Sequence, residues 1–228
     1  MSSVKNIVIC SAGVGSRLGL NVPKCLAPVA GRPLIHWQLD LLDDFETVIV
    51  VVGYQAPQAI RAVLDYRGDA IFVINHEYRT TNTLDSLLLG IRRLEEPFIY
   101  LDGDLLVNSS AIELIRDAPC PAIGIKRTYS EQPVCVKLED GDGKGLVLGF
   151  TRDILEYEWT GLAKLTPEAV ESAAGSQYVY HAVERCLPVA SVEIDCIEVD
   201  TKNELEEAEL WMNQQLASGN SGKSAVSV

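Results

Sequence analysis

Residues 10–25 read CSAGVGSRLGLNVPKC and follow directly on the apolar run Ile7-Val8-Ile9. The run predicts a strand, so the glycines lie where that strand ends. Glycine lets the backbone come close to a bulky group, and the cations Arg17 and Lys24 favour an anion as that group. The stretch therefore predicts an exposed loop, at a strand end, that holds an anionic ligand.

Apolar segments rich in Val and Ile alternate with helical patterns through the first half of the chain. The segment 47–53 is apolar on both faces, which is typical of the centre of a parallel sheet. Alternating β and α elements, followed by extra strands, predict a three-layer α/β fold around a mixed sheet. The predicted strands are 6–10, 47–53, 70–74, 97–101, 122–126, 134–138, 146–151 and 191–199, and the predicted early helices are 33–42, 57–66 and one that begins near 84.

Short local signals complete the second half of the pattern. Thr166 followed by Pro167 predicts a capped helix start, and residues 201–204, Thr-Lys-Asn-Glu, match a capping box that opens the last helix. Residues 140–143 predict a turn between two strands. The tail from about residue 218 lacks large apolar side chains except valine. We expect one domain over residues 1–217 and a disordered tail over 218–228.

Composition limits the classes of function. The 228 residues are 47% hydrophobic, enough for one substantial core. A net charge of -13 argues against nucleic acid or an anionic membrane as a partner. No apolar run approaches the roughly 18 residues of a membrane span, and Met1 leads into a strand without a signal peptide. Six cysteines without a CxxC pair suit a reducing compartment, so we expect a cytoplasmic protein.

Two nucleotide-binding motifs are excluded. The dinucleotide fingerprint G-x-G-x-x-G fails because Leu18 stands where its third glycine belongs, and no acidic residue ends the second strand. Residues 219–224 echo a P-loop but lack its spacing, the preceding strand and the following helix.

The first loop is instead similar to a nucleotidyltransferase signature. Residues 13–18 (GVGSRL), then Pro23-Lys24, then residues 31–35 (GRPLI) resemble the superfamily that activates sugars and alcohols. The resemblance implies a Rossmann-like, mainly parallel mixed sheet of the GT-A-like type, and a loop that wraps a triphosphate. Ser11 departs from the small apolar residue usual there, and the short gap from Arg17 to Pro23 is more like the cytidylyltransferases. Implied nucleotide-binding residues are Ala12, Gly13, Gly15 and Ser16, and implied catalytic residues are Arg17 and Lys24.

A second segment sharpens the resemblance. Residues 75–82 read NHEYRTTN, and Leu84-Asp85-Ser86 follow. This pattern looks like the bacterial choline-phosphate and 2-aminoethylphosphonate cytidylyltransferases. It implies that Asn75, Thr80, Asn82 and Ser86 bind the base and ribose of the nucleotide. A plain loop followed by a capped helix is the alternative.

Two acidic segments predict a metal site. Tyr100-Leu-Asp-Gly-Asp104 closes a strand, and Cys196-Ile-Glu-Val-Asp-Thr201 precedes the last helix. Carboxylates at a strand end can hold Mg²⁺, a hard cation that takes protein carboxylates and phosphate oxygens. The resemblance implies that Asp104 and Asp200 share this metal and that Asp102 is a neighbour through water. Turn or helix-cap roles for these aspartates are the alternative.

Residues 158–161 resemble the family's acceptor segment. Gly161 would let the backbone approach the acceptor, while Glu158 and Trp159 could contact an ammonium group. A surface glutamate and a core indole explain the same residues.

The resemblance implies an Mg²⁺-dependent cytidylyltransferase. It would join CMP from CTP to a small phosphorylated or phosphonate alcohol, similar to phosphocholine or aminoethylphosphonate, with release of pyrophosphate. Alternatives are a sugar-1-phosphate nucleotidyltransferase using UTP, dTTP or GTP, a glycosyltransferase with a metal-binding Asp102-Gly-Asp104, and an inactive nucleotide-binding module. A homodimer is compatible with the sequence, which does not fix the oligomeric state.

Overall fold

The computed structural model describes residues 4–139 and 145–219. Its strands are β1 (Asn6–Ser11), β2 (Pro28–Val29), β3 (Arg32–Pro33), β4 (Thr47–Val52), β5 (Ile71–Ile74), β6 (Phe98–Asp102), β7 (Leu105–Val107), β8 (Ala122–Arg127), β9 (Cys135–Leu138), β10 (Leu146–Thr151), β11 (Tyr157–Leu165), β12 (Val189–Glu193) and β13 (Cys196–Glu198). Its helices are α1 (Leu34–Leu39), α2 (Ala56–Leu64), α3 (Thr83–Gly90), α4 (Ser109–Asp117), α5 (Pro167–Glu171), α6 (Tyr180–Glu184) and α7 (Lys202–Ser218).

Nine strands form one mixed sheet in the order β5-β4-β1-β6-β11-β8-β12-β10-β9. The four strands from β5 to β6 are parallel to one another. Strand β11 then runs antiparallel between β6 and β8, and β12 returns parallel to β8. The predicted mixed α/β fold is confirmed.

Helices cover both faces of this sheet because successive side chains of a strand point to opposite faces. Ile7 and Ile9 of β1 pack with α1, α2 and α4, whereas Val8 packs with α3, α5 and α6. A third cluster joins α7 to the glycine-rich loop, with Leu18, Trp37 and Met212 among its buried members. Helix α7 therefore packs against the glycine-rich loop.

The starts of α5 and α7 lie at the predicted caps. The side-chain oxygen of Thr201 accepts a hydrogen bond from the Glu204 amide, and the Glu204 carboxylate accepts one from the Thr201 amide. The two bonds form the capping box of α7. Thr166 caps α5, since its side-chain oxygen accepts a hydrogen bond from the Ala169 amide. None of the described helices is both long and apolar enough to cross a membrane.

Some predicted bounds were wrong. The strand predicted at 191–199 is interrupted between β12 and β13, because the Asp195 carboxylate accepts hydrogen bonds from Trp211 Nε1 (3.0 Å) and Gln215 Nε2 (2.9 Å) of α7. Strand β13 then leaves the main sheet and pairs with β7. The first helix is shorter than predicted, and β11 and α4 were not predicted. The predicted turn at 140–143 and residues 220–228 of the predicted tail lie outside the described residues.

Candidate active site

A cavity of about 420 Å³ opens at the carboxyl ends of β1 and β6. Ligands of open α/β sheets bind at such strand ends. The cavity walls come from the end of β1 and the glycine-rich loop, the acidic segment from the end of β6, the residues from the end of β13, and two further residues. They are Cys10, Ser11, Gly13, Gly15, Ser16, Arg17, Lys24, Cys25, Thr83, Asp102, Gly103, Asp104, Tyr178, Glu198 and Asp200.

Gly15 lets the loop fold back on itself. Its φ of 63° lies in the left-handed region, and a Cβ there would lie 2.9 Å from the Cβ of Lys24. Because real Cβ contacts are longer, any other residue would push Lys24 away from the loop. The short turn that follows buries Leu18 and leaves the Arg17 side chain 69% exposed. The two predicted cations therefore belong to one loop, but the Arg17 side chain is more exposed than that of Lys24.

Lys24 lies between two of the predicted acidic residues. Its ammonium group donates hydrogen bonds to Asp104 and Asp200, and Arg17 donates to the other oxygen of Asp200. Burial lowers the pKa of Lys24, but the two carboxylates outweigh that effect and hold its pKa above the ordinary value. The expectation of an exposed position was wrong for Lys24, whose side chain is only 13% exposed. The predicted cationic residues and two of the predicted metal ligands are thus in direct contact.

Three carboxylates converge beside Lys24. Asp104, Glu198 and Asp200 each offer an oxygen, and these oxygens lie within 4.8 Å of one another. Burial and then the charges of Asp104 and Asp200 raise the pKa of Glu198 to about 7. The raised pKa indicates a shortage of positive charge, and all three ligand atoms are oxygens. Both features fit a hard divalent cation such as Mg²⁺.

Sequence reasoning missed Glu198 as a candidate ligand. The signal was present, since residues two apart in an extended segment point to the same side, and Glu198 and Asp200 are two apart. Asp102, by contrast, lies outside the converging group. Burial and the neighbouring charge of Asp104 raise the pKa of Asp102 well above its usual value. Its contact with a metal through water stays a prediction.

Gly161 packs directly against Asp102. A Cβ at Gly161 would lie 3.1 Å from the Asp102 Cβ and 3.2 Å from Oδ2, and the φ of this glycine is +85°. The register of β11 against β8 also shifts between Trp159 and Ala163. Gly161 therefore lets β11 pass close to Asp102.

We expect Gly161→Ala to destabilise the protein by more than the roughly 1–2 kcal/mol of a left-handed alanine, because the new methyl also presses on Asp102. Gly175→Ala is the matched control, since Gly175 has the same φ of +85° but nothing within 4 Å of an added Cβ. Urea unfolding of both variants measures the difference. Equal losses of unfolding free energy would show that crowding at Asp102 contributes nothing.

The second predicted segment forms a braced loop. Asn75 is 2% exposed, and its side-chain Nδ2 donates hydrogen bonds to Thr81 Oγ1 (2.9 Å) and Ser86 Oγ (3.0 Å). Its Oδ1 accepts from the Glu77 amide at 2.9 Å. Thr80 is exposed and donates to the carbonyl oxygen of Glu77. Asn75 and Ser86 thus hold the loop together from inside.

The start of α3 brings this loop to the cavity. Asn82 caps α3 through a capping box with Asp85, and its amide also donates to the carbonyl oxygen of Ser176 at 3.3 Å. Thr83 and Tyr178, on either side of that contact, line the cavity. Sequence reasoning missed both residues. Neither belongs to a motif, and their closeness depends on the packing of segments 94 residues apart.

Two of the predicted acceptor residues, Glu158 and Trp159, are buried and half-buried. Glu158 is 1% exposed and accepts hydrogen bonds from Ser130 Oγ (2.9 Å) and the Tyr129 amide (3.2 Å), so the alternative of a surface glutamate was wrong. Lys126 Nζ lies 3.5 Å from the same carboxylate. Trp159 is half-buried and stacks on Tyr100 with 6.4 Å between ring centroids. Neither Glu158 nor Trp159 is among the described residues that line the cavity.

Comparison with known proteins gives related sequences. The chain is 31% identical over 154 residues to the CMP-5'-(3-aminopropyl)phosphonate synthase of Streptomyces rubellomurinus, which covers 64% of this chain and 24% of that protein. It is also 31% identical over 160 residues to the bifunctional protein GlmU of Burkholderia orbicola, which covers 67% of this chain and 33% of GlmU. The matched segment thus spans about a quarter to a third of these relatives.

Solved structures support the same fold. The inositol-1-phosphate CTP transferase from T. maritima superposes with a TM-score of 0.77 at 20% identity, over 94% of this chain and 97% of that one. The CTP:phosphocholine cytidylyltransferase from Streptococcus pneumoniae gives a TM-score of 0.74 at 22% identity, over 92% of this chain and 100% of that one. Residues 7–156, more than half of the chain, match the MobA-like NTP transferase domain. The chain therefore belongs to the family of MobA-like NTP transferase domains, which are nucleotidyltransferases.

Proposed function

We propose that the protein is an Mg²⁺-dependent cytidylyltransferase. It transfers CMP from CTP to a small phosphorylated or phosphonate alcohol and releases pyrophosphate. The observation that carries the proposal is the convergence of Arg17, Lys24 and three carboxylates at the end of a glycine-rich loop, inside one cavity.

The loop and its cations bind the triphosphate of the donor. Gly13, Gly15 and Ser16 line the cavity, and we assign their amides the role of donating to phosphate oxygens; Ala12 precedes them. Arg17, which is largely exposed, meets the triphosphate as it enters. Lys24, which is deeper, neutralises the charge that develops on the leaving pyrophosphate.

The reaction requires no general base from the protein. An acceptor phosphate or phosphonate is already an anion near neutral pH, so its oxygen can attack the α-phosphorus directly. A new phosphorus–oxygen bond forms, the bond between the α- and β-phosphates breaks, and pyrophosphate leaves with the electron pair. The barrier lies in bringing anions together, so positioning and charge stabilisation dominate.

The carboxylates of Asp104, Glu198 and Asp200 would hold the metal. When bound there, Mg²⁺ would withdraw negative charge from the phosphate oxygens of donor and acceptor. The contacts of Lys24 with Asp104 and Asp200, and of Arg17 with Asp200, support a role for both cations at the same phosphates. Asp102, held under Gly161, is proposed as a neighbour that acts through water.

The braced loop at 75–82 contributes to recognition of the nucleoside. Asn75 and Ser86 support it from inside, while Thr80 and Asn82 belong to the stretch that leads to Thr83 at the cavity. We assign Thr80, Asn82 and Thr83 to the side of the site that meets base and ribose. CTP is favoured because the first loop is short and because one relative is a CMP-phosphonate synthase.

Aromatic rings favour an acceptor that carries an amine. Tyr178 is 46% exposed at the cavity and stacks on Tyr180 with 5.5 Å between centroids. The series of rings continues from Tyr180 through Phe150 to Trp159, but among the described residues that line the cavity only Tyr178 belongs to it. Ring faces attract ammonium groups, so the exposed Tyr178 ring at the cavity supports an acceptor with a cationic headgroup.

We expect pyrophosphate release to be fastest with CTP and phosphocholine or 2-aminoethylphosphonate. The experiment is a grid of CTP, UTP, dTTP, GTP and ATP against those acceptors, a hydroxyalkyl phosphonate and several sugar 1-phosphates. Asp104→Asn protein in every well gives the background. Preference for a sugar 1-phosphate with UTP or dTTP would contradict both donor and acceptor, and preference for an amine-free phosphonate with CTP would contradict the amine alone.

A further inference from the structure

Gln38 is a buried polar residue that contacts the turn between β6 and β7. Every other buried residue of α1 is apolar, whereas Gln38 carries an amide and is only 1% exposed. Its Nε2 donates hydrogen bonds to the carbonyl oxygens of Asp102 and Leu105, both at 2.8 Å. Because carbonyl oxygens only accept, both N–H groups of the amide are used here.

The two carbonyl groups flank the residues that carry the metal-binding carboxylate of Asp104. Gly103 and Asp104 form the turn between them. The Gly103 amide donates a hydrogen bond to the Cys10 carbonyl oxygen at 3.0 Å, which ties the turn to β1. A Cβ at Gly103 would lie 2.4 Å from that same oxygen, so the turn packs closely on the end of β1. The turn is therefore held by two elements, β1 and, through Gln38, α1.

The same turn bears on the other two carboxylates of the candidate metal site. Leu105 lies opposite Glu198 in the pairing of β7 with β13. The carbonyl oxygen of Asp104 accepts a hydrogen bond from the Val199 amide at 3.0 Å. Val199 is buried and stands between Glu198 and Asp200 in the sequence. A shift of the turn therefore changes the positions of all three carboxylates.

Gln38 acts behind the site rather than in it. It does not belong to the described residues that line the cavity, and its hydrogen bonds go to backbone carbonyl groups. Side chains that hold metal ligands in place, without touching the metal, commonly change its affinity by about 10- to 100-fold when they are replaced.

We propose that Gln38 is a positioning residue for the metal site. Its amide fixes the turn that carries Asp104 and, through that turn, the other two carboxylates. The inference rests on the proposed metal-dependent function. An apolar side chain of similar length would leave the two carbonyl groups without these donors, and the turn would move to find others. The expected result is a folded protein whose three carboxylates are misplaced.

Binding of Mn²⁺ alone, followed by electron paramagnetic resonance without nucleotide or acceptor, tests the proposal. Gln38→Met should bind Mn²⁺ about 10- to 100-fold more weakly than the wild type. Gln215→Met is the matched control, because Gln215 is 8% exposed, donates through Nε2 to Asp195 at 2.9 Å and does not belong to the described cavity lining. Both variants lose a buried amide and should be less stable in thermal unfolding, but only Gln38→Met should change the Mn²⁺ affinity.

Gln38→Glu gives a graded test and serves if Gln38→Met does not fold. Burial keeps the new carboxyl group protonated, so the variant has the shape of glutamine but a single O–H donor for two carbonyl groups. Its Mn²⁺ affinity should therefore lie between those of Gln38→Met and the wild type.

The outcomes separate the positioning role from the proposed function. Wild-type Mn²⁺ affinity in either folded Gln38 variant, or equal losses of affinity in Gln38→Met and Gln215→Met, would overturn the positioning role and leave the proposed function standing. A wild-type protein that binds no Mn²⁺ would overturn both.

Discussion

Lys24→Ala should lower the turnover of pyrophosphate release by about 10²-fold or more. The side chain is 13% exposed, and its ammonium group lies against two carboxylates at the end of the glycine-rich loop. Its removal takes a fixed positive charge from the place where charge develops on the leaving group. Because that charge develops in the transition state, kcat should fall more than KM rises.

Steady-state pyrophosphate release at saturating CTP measures the effect. Lys5→Ala is the matched control, because Lys5 also contacts a carboxylate, that of Glu46, but lies at the opposite end of β1. The control should keep the turnover of the wild type. Normal turnover in Lys24→Ala would show that the loop does not act on the triphosphate.

Lys24→Ala should also lower the stability of the fold at neutral pH. The pKa of Lys24 is raised in the folded state, so its contribution is fully present below its unfolded pKa and is lost as pH rises through the folded value. At neutral pH the variant therefore loses the whole contribution, about 1.5–3 kcal/mol for hydrogen bonds to charged groups. Thermal unfolding at pH 7 separates this loss from the loss of turnover.

Asp104→Asn and Asp200→Asn should each remove most of the Mg²⁺-dependent activity while the protein stays folded. Each change replaces a charged oxygen ligand with a neutral amide, in a group whose three oxygens lie within 4.8 Å of one another. A cation held there would lose charge complementarity and shift relative to the phosphates. Pyrophosphate release over a Mg²⁺ titration, with Mn²⁺ binding followed by electron paramagnetic resonance, measures both consequences.

Glu198→Gln should behave like the two aspartate variants. Asp44→Asn is the control, since the Asp44 carboxylate is 79% exposed, pairs with the Arg116 side chain and does not belong to the described residues that line the cavity. Full activity in Asp200→Asn would reduce Asp200 to the residue that precedes the α7 cap. Unchanged Mn²⁺ affinity in Glu198→Gln would remove Glu198 from the ligand set.

Most of the parallel part of the fold was predictable because three of its four strands, β1, β4 and β6, are buried on both faces. Strands β1, β4 and β6 lie within about two residues of the predicted bounds, since runs of Val, Ile and Leu suit such strands. Strand β11 was missed because polar residues interrupt it. Thr160 donates to the Gly124 carbonyl at 2.9 Å, and Lys164 donates to the carbonyl groups of Arg116 and Ala118, at the end of α4, both at 2.7 Å. These partners lie far away in the sequence, so the local pattern does not reveal the strand.

In the candidate site, too, local sequence predicts some residues, while others depend on partners that lie far away in the sequence. Arg17, Lys24, Asp104 and Asp200 follow strand ends or precede a capped helix, and local sequence predicts such positions well. Tyr178 reaches the cavity only through the packing of the segment between α5 and α6, which no local pattern predicts. The burial of the Glu158 carboxylate was likewise not predictable from local sequence, because its partners at 126–130 belong to another strand and the loop after it.

The ion pairs of Arg17 and Lys24 with Asp200 span 183 and 176 residues of the chain. Contacts of such sequence separation form late in folding, because the entropy of a long loop has to be lost before they stabilise anything. A folding intermediate that contains the parallel strands but not docked α7 would hold the glycine-rich loop without the residues that follow β13. Nascent chains would therefore acquire the complete site only after α7 has left the ribosome, and the appearance of activity would report the last stage of folding.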